Sequence, residues 1–231
     1  MIIDFFKKIK KFWLSDTSFI SLLIVLLCLN FIVPVLIDAE IIGEYSLNAI
    51  YLFLFLIGIF SSDHLWFKVL TIGFFLLQVI LRFIRFSDSD TEFYFWEQVV
   101  MLMNLILLII VNLKLLFRNK EITYYRIIGA VNVYLMLGLI GVSMLELIHL
   151  VFGNSLEGGW KPDEETLNFP NFIYYSMTSL TTVGYGDLIP INAAARMTSV
   201  FLSAVGILYP AVVISNLIST GMAKKKDEQE D

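Results

Sequence analysis

Residues 181 to 187 read Thr-Thr-Val-Gly-Tyr-Gly-Asp, a run with few reactive side chains whose chemistry lies in its backbone. Successive carbonyls of Thr182, Val183, Gly184 and Tyr185 can replace the hydration shell of a cation if they all turn to one side and several such loops surround one axis. For this, alternate residues must enter backbone regions that a Cβ penalises, and Gly184 and Gly186 supply that freedom. The Thr182 hydroxyl is placed to form an innermost ring, while Val183 and Tyr185 point away from the axis and pack behind it. A lone Gly-X-Gly would mark only a turn. Here the segment follows a short amphipathic helix, Asn168 to about Thr181, whose Pro170 occupies a first turn where its missing N–H costs nothing. It precedes a long apolar helix.

With that context the chain resembles the pore-loop potassium channels, specifically their six-helix, voltage-gated-like branch. The resemblance is strong from Thr123 to Thr220 and only topological before it. It implies an all-α membrane protein, a K+ selectivity filter at Thr182, Val183, Gly184, Tyr185 and Gly186, and K+ bound through the carbonyls of the first four. It also implies filter support from Thr181 and Asp187. Four copies of a single filter strand are needed to enclose an ion, so a homotetramer is expected.

The elements that must position this loop are membrane helices. The chain is 58% hydrophobic over 231 residues, well above a soluble protein. Six apolar stretches are candidates to cross a bilayer, which takes about 20 residues: Ser18 to Ile37, Tyr45 to Phe60, His64 to Phe86, Phe93 to Phe117, Thr123 to Phe152 and Ala193 to Thr220. The second is short. Lys7 to Lys11 followed by an apolar run could suggest a signal peptide, but the run is too long and lacks a small-residue cleavage site, so it reads as a retained helix.

Six crossings put Lys7 to Lys11, Arg118, Lys120, Arg126 and Lys224 to Lys226 on one face, the cytoplasmic one by the positive-inside rule. Asp38, Glu40, Glu44, Asp88, Asp90, Glu92, Glu157 and Asp163 to Glu165 fall on the other, with the filter. Both termini are thus expected in the cytoplasm, with the protein in the plasma membrane. The division expected is a four-helix N-terminal domain over 1–121, a pore domain over 122–222, and a charged tail over 223–231.

Around the filter, Tyr174 and Tyr175 stand where many relatives carry two tryptophans, and they could brace Tyr185 and Asp187 or simply pack at the interface. Thr178 replaces a carboxylate found behind the filter in some relatives. Glu146 resembles an acidic residue that ties the fifth helix to the pore loop, and an ionisable group in a membrane helix calls for a partner. His149 offers a partner, a pH response, or interfacial packing alone.

In the sixth helix Gly206 stands at the spacing from Gly184 where relatives carry a hinge. Pro210 cannot bond the Gly206 carbonyl and crowds it, so a bend is expected there. Ile214, Ile218 and Met222 recur on one face and match inner-gate positions, unless that face meets lipid or neighbouring helices. Voltage sensing is expected to be weak. The fourth crossing offers Lys114 and Glu97, and the one Arg-x-x-Arg pair, Arg82 and Arg85, sits on the third, where Glu97 is placed to pair with it.

The one cysteine, Cys28, lies in the first apolar stretch and permits no intrachain disulfide. A net charge of −5 argues against a nucleic-acid partner. No nucleophile-and-base set, metal-ligand cluster or phosphate loop is present, so neither an enzyme nor a cofactor beyond permeant K+ is expected. The short tail leaves gating input to the membrane part, lipid, ions or a separate partner. Two other readings stay open: a weakly selective cation channel, or a non-conducting or regulatory subunit of a potassium transport complex. Such transporters usually carry four degenerate pore loops in one chain.

Overall fold

Long apolar runs broken by charged loops give a bundle of helices. The computed structural model describes residues 18–61, 65–87, 91–116, 124–158 and 169–230. Helix α1 (Ser18–Leu27) passes through a π-helical turn (Cys28–Ile32) into α2 (Val33–Asp38). Pro34 explains the turn: without an N–H it cannot bond the Asn30 carbonyl, and the ladder widens so that the Val33 N–H reaches Cys28. Helices α3 (Glu44–Ser61), α4 (Leu65–Ser87), α5 (Thr91–Leu116) and α6 (Tyr124–Phe152) follow. Then come β1 (Leu156–Gly158), α7 (Phe169–Leu180), β2 (Leu188–Pro190) and α8 (Ala193–Glu230).

Five of these are long and apolar enough to cross a membrane: Phe19–Asp38, Trp66–Ile84, Phe93–Leu116, Tyr124–Phe152 and Ala193–Asn216. The second expected crossing is a helix of 18 residues, but its apolar part, Ser46–Gly58, is shorter than a full span. The sixth expected crossing overruns its boundary. Helix α8 continues past Thr220 to Glu230, so the charged tail is helical through its Lys, Glu and Gln residues, which are good helix formers. Residues 1–17, which carry Lys7 to Lys11, lie outside the described residues, as do Arg118, Lys120, Asp88, Asp90 and Asp163 to Asn168. So do the side chains of Arg85, Glu92, Ile218, Met222 and Lys224 to Lys226.

The expected ion pair is present. Arg82 on α4 donates through Nε to Glu97 on α5 at 2.7 Å, with a second contact from Nη2. Glu97 is 1% exposed, so removing Arg82 would leave a buried carboxylate without its paired charge, at a cost of about 3–5 kcal/mol. One rung further along the same antiparallel pair, the Asn104 amide donates to Gln78 at 3.0 Å. At the opposite end the Lys114 ammonium sits 4.2 Å from the centre of the Phe67 ring. These rungs join α4 to α5 along most of their length.

The N-terminal helices dock directly on the rest of the chain. Helix α1 packs along α6, where the buried Asn132 amide donates to the Phe19 carbonyl at 2.8 Å, and α2 reaches α7. Helix α6 in turn packs on both α7 and α8. The core joins Leu26, Leu29, Tyr51 and Leu54 to Leu139, Phe169 and Phe172, with no apolar gap between the two parts.

Candidate functional site

Helix α7 ends at Leu180 and leaves its last carbonyls free to hold the residues after it. The Thr181 N–H and hydroxyl both donate to Met177, at 2.9 and 2.7 Å. The Thr182 N–H donates to Ser179 at 3.0 Å. Thr178 then accepts two bonds on one carbonyl, from the N–H of Val183 at 2.9 Å and of Gly184 at 3.2 Å. The loop therefore hangs from the last turn of α7.

Backbone handedness alternates along it. Thr182, Gly184 and Gly186 have φ of 60, 50 and 80°. Alternation of this kind turns successive peptide planes toward the same side, as the carbonyl chemistry requires. The two glycines adopt the left-handed region without strain, whereas Thr182 is β-branched and does so at a cost. Sequence reasoning did not anticipate that third position.

Tyr174 and Tyr175 divide their work. The Tyr174 hydroxyl donates to Asp187 at 2.6 Å, and its ring lies parallel to Tyr185, 3° between planes with centroids 6.4 Å apart. Tyr175 turns inward and bonds the Ser199 hydroxyl on α8. Within one chain, then, Tyr174 faces Asp187 and Tyr185 while Tyr175 faces α8, because adjacent residues on a helix face different directions. The expectation that Val183 and Tyr185 pack behind the filter is not met within one chain, where they are 52% and 72% exposed.

The hydrogen bond from Tyr174 holds the Asp187 carboxyl below its usual value, and the same bond pushes the Tyr174 hydroxyl up to about 12. A lowered carboxylate value means the bond is fully formed above the ordinary value of about 4 and is lost only as pH falls through the lowered one. Tyr174→Phe should return Asp187 to the ordinary range. In current recordings with falling pH on the filter side, the variant should respond at higher pH than the wild type. Superimposable pH curves would remove the role assigned to this bond.

Behind the loop, α7 is fixed on both sides. The Ser176 hydroxyl donates to Gly138 on α6 at 2.6 Å, and the Ser203 hydroxyl on α8 donates to Ser179 at 3.0 Å. The rings of His149 and Phe172 meet edge to face at 5.9 Å, which places His149 against α7. Thr178 contributes its carbonyl to the loop, and its hydroxyl donates to Tyr175 at 3.1 Å. Glu146 receives a hydrogen bond from Tyr94, which links α6 to α5, a link the sequence did not single out. After the loop, β2 pairs antiparallel with β1, Leu156 opposite Pro190, and Asn192 caps α8 by accepting from the Ala195 N–H at 2.8 Å.

Gly206 has a role beyond flexibility. A Cβ at this position would lie 1.7 Å from the Leu180 carbonyl oxygen and 2.7 Å from its carbon. Helix α8 therefore touches the backbone at the end of α7, and only glycine permits that approach. Helix α8 runs unbroken through Pro210, beside which the Tyr209 hydroxyl donates to Ala130 at 2.9 Å. Ile214 is exposed on one chain; the side chains that would complete its ring, Ile218 and Met222, lie outside the described residues.

Residues 130–222 match the family described as Ion channel. This part of the chain is similar to an ion-channel domain. The matched range begins within α6 and takes in α7, the loop after it and most of α8, so the similarity falls on the site just described. Over 66 residues it is 35% identical to the voltage-gated delayed rectifier potassium channel KCNH5 of Homo sapiens, covering 28% of this chain and 7% of that one. Over 59 residues it is 32% identical to Potassium channel K2 of Plasmodium berghei (strain Anka), covering 26% and 4%. The similarity thus spans a small part of those channels' length. No solved structure matches the chain. That similarity and the five helices long and apolar enough to cross a membrane point together to a multi-pass membrane protein.

Proposed function

We propose that the protein is a homotetrameric potassium-selective channel that conducts K+ passively across the plasma membrane, with both termini in the cytoplasm and six crossings per chain. The observation that carries this reading is the loop itself: Thr182 to Gly186 with alternating handedness, hung from Thr178 and braced by Tyr174 through Asp187 and Tyr185. Four such loops around an axis would offer stacked carbonyl rings of the kind that replace the hydration shell of K+. The similarity of part of the chain to two proteins named as potassium channels supports the choice of ion. The exposure of Val183 and Tyr185 supports assembly, since one chain leaves more than half of each side chain uncovered. The six-crossing count rests on treating α3 as a full crossing, with its polar ends at the interfaces.

A weakly selective cation channel is the second reading; the intact Val-Gly-Tyr-Gly sequence and its backbone alternation disfavour it. In the gate region we assign Gly206 and Pro210 to the bend and Ile214, Ile218 and Met222 to the inner constriction. The N-terminal helices act as a scaffold with little gating charge, since Arg82 is held by Glu97. Steep gating needs three or four moving charges per subunit, each worth about 2.3 kcal/mol per 100 mV. Open probability recorded between about −100 and +100 mV in symmetric K+ should therefore change shallowly. A steep curve that flattens in the Arg82→Gln, Arg85→Gln variant would overturn the scaffold reading.

A further inference from the structure

Within this chain the N-terminal helices reach the filter's own support. Tyr51 on α3 is 1% exposed, and its ring meets that of Phe169 edge to face, with centroids 6.2 Å apart and 88° between planes. Phe169 is the first residue of α7 and is itself buried. The other face of Tyr51 stacks on Phe55 one turn along, with centroids 6.3 Å apart. Among the described residues the Tyr51 hydroxyl has no hydrogen-bond partner, and its contact with Phe169 is made by the ring. The bundle that carries the ring is anchored independently, by Asn132 to Phe19 and by Tyr94 to Glu146.

A helix of 12 residues held at both ends behaves as a rod. At its far end, Thr178 carries the Val183 and Gly184 amides. At its near end stands Phe169 against Tyr51. A shift of the first turn is thereby passed along the helix to the loop, and its route does not involve the inner end of α8.

We propose that Tyr51 is a positioning residue for the filter: through Phe169 it sets the seat of α7, so the N-terminal bundle acts on conduction at the selectivity loop. This rests on the channel reading above. It adds a residue to the filter's support from a segment outside the matched ion-channel domain.

The test uses the full chain reconstituted in lipid vesicles, comparing Tyr51→Leu, Phe169→Leu, the double variant and Tyr51→Phe. Tyr51→Leu and Phe169→Leu should each lower the K+ over Na+ permeability ratio at least about threefold, and the double variant should be no worse than the worse single one, since residues in contact act non-additively. Tyr51→Phe keeps the ring and should restore the ratio to within about twofold of wild type. Additive losses, an unchanged ratio in Tyr51→Leu, or a Tyr51→Phe variant as impaired as Tyr51→Leu would overturn the proposal.

Were the wild type to pass no K+-selective current, the channel reading would fall, and backbone hydrogen exchange over residues 169–187 in lipid would still decide this inference. Exchange there should rise to the same extent in both single leucine variants and stay at the wild-type rate in Tyr51→Phe. Equal rates in wild type and Tyr51→Leu would contradict it. The exchange measurement also serves if the leucine variants assemble poorly, because Tyr51→Phe against wild type then asks whether the hydroxyl is dispensable, and a raised rate would count against the ring contact.

Discussion

Gly184→Ala should abolish potassium selectivity while leaving the assembled protein intact. No atom lies within 4 Å of a Cβ built at this position in one chain, so the penalty is conformational. With φ at 50°, an alanine costs about 1–2 kcal/mol in each chain, and a tetramer incurs it four times around one axis. The backbone would relax by turning the Val183 or Gly184 carbonyl away from the axis, and a ring missing its oxygens no longer compensates a dehydrated K+. The K+ over Na+ permeability ratio should fall by at least about tenfold, the equivalent of about 1.4 kcal/mol. Tyr185→Val should act in the same direction by removing the ring that stacks on Tyr174. Neither change touches helix packing, so size-exclusion profiles should match the wild type. An unchanged ratio in either variant would refute the filter assignment.

Gly206→Ala should be as damaging, for a different reason. A hinge glycine replaced by alanine gives a stiffer helix that still folds, and the change would be read in the open fraction. A glycine chosen for close approach gives another result, since a Cβ 1.7 Å from the Leu180 oxygen forces α8 away from the end of α7. Overpacking of this kind costs about 1–3 kcal/mol or more, and here the obstructing atoms are backbone, which cannot rotate aside. The displacement would also loosen the bond from Ser203 to Ser179 at the base of the loop. Thermal unfolding of the assembled protein should shift down by several degrees, with current lost along with it. Wild-type stability with an altered open fraction would remove the packing role and leave the bend as the sole reason for glycine.

How much of this was legible in the sequence depends on how local the cause is. The loop was legible because its chemistry belongs to seven consecutive residues, and α7 because Pro170 marks its first turn; the helix ends one residue before the expected limit. Arg82 and Glu97 could be paired because the loop between α4 and α5 is short and fixes an antiparallel register. Tyr174 and Tyr175 were half legible: the residue types pointed to bracing, but only one of two neighbours on a helix can face the loop. The left-handed Thr182 was hidden by its side chain, which ordinarily argues for extended backbone. Neither the Tyr51 contact with Phe169 nor the packing role of Gly206 leaves a mark in the sequence, because each joins segments far apart in the chain. Pro34 was not singled out in the sequence, yet the π-helical turn beside it is what its missing N–H produces.

The channel assignment stands or falls on which ion crosses. With purified protein in a planar lipid bilayer, K+ on one side and Na+ on the other, the reversal potential reads the permeability ratio directly, at about 59 mV for each tenfold preference for one monovalent ion. A filter of the proposed kind should give single-channel steps whose reversal lies well beyond one such interval on the K+ side. Currents reversing near zero would contradict it, and so would a bilayer that stays silent with the protein incorporated.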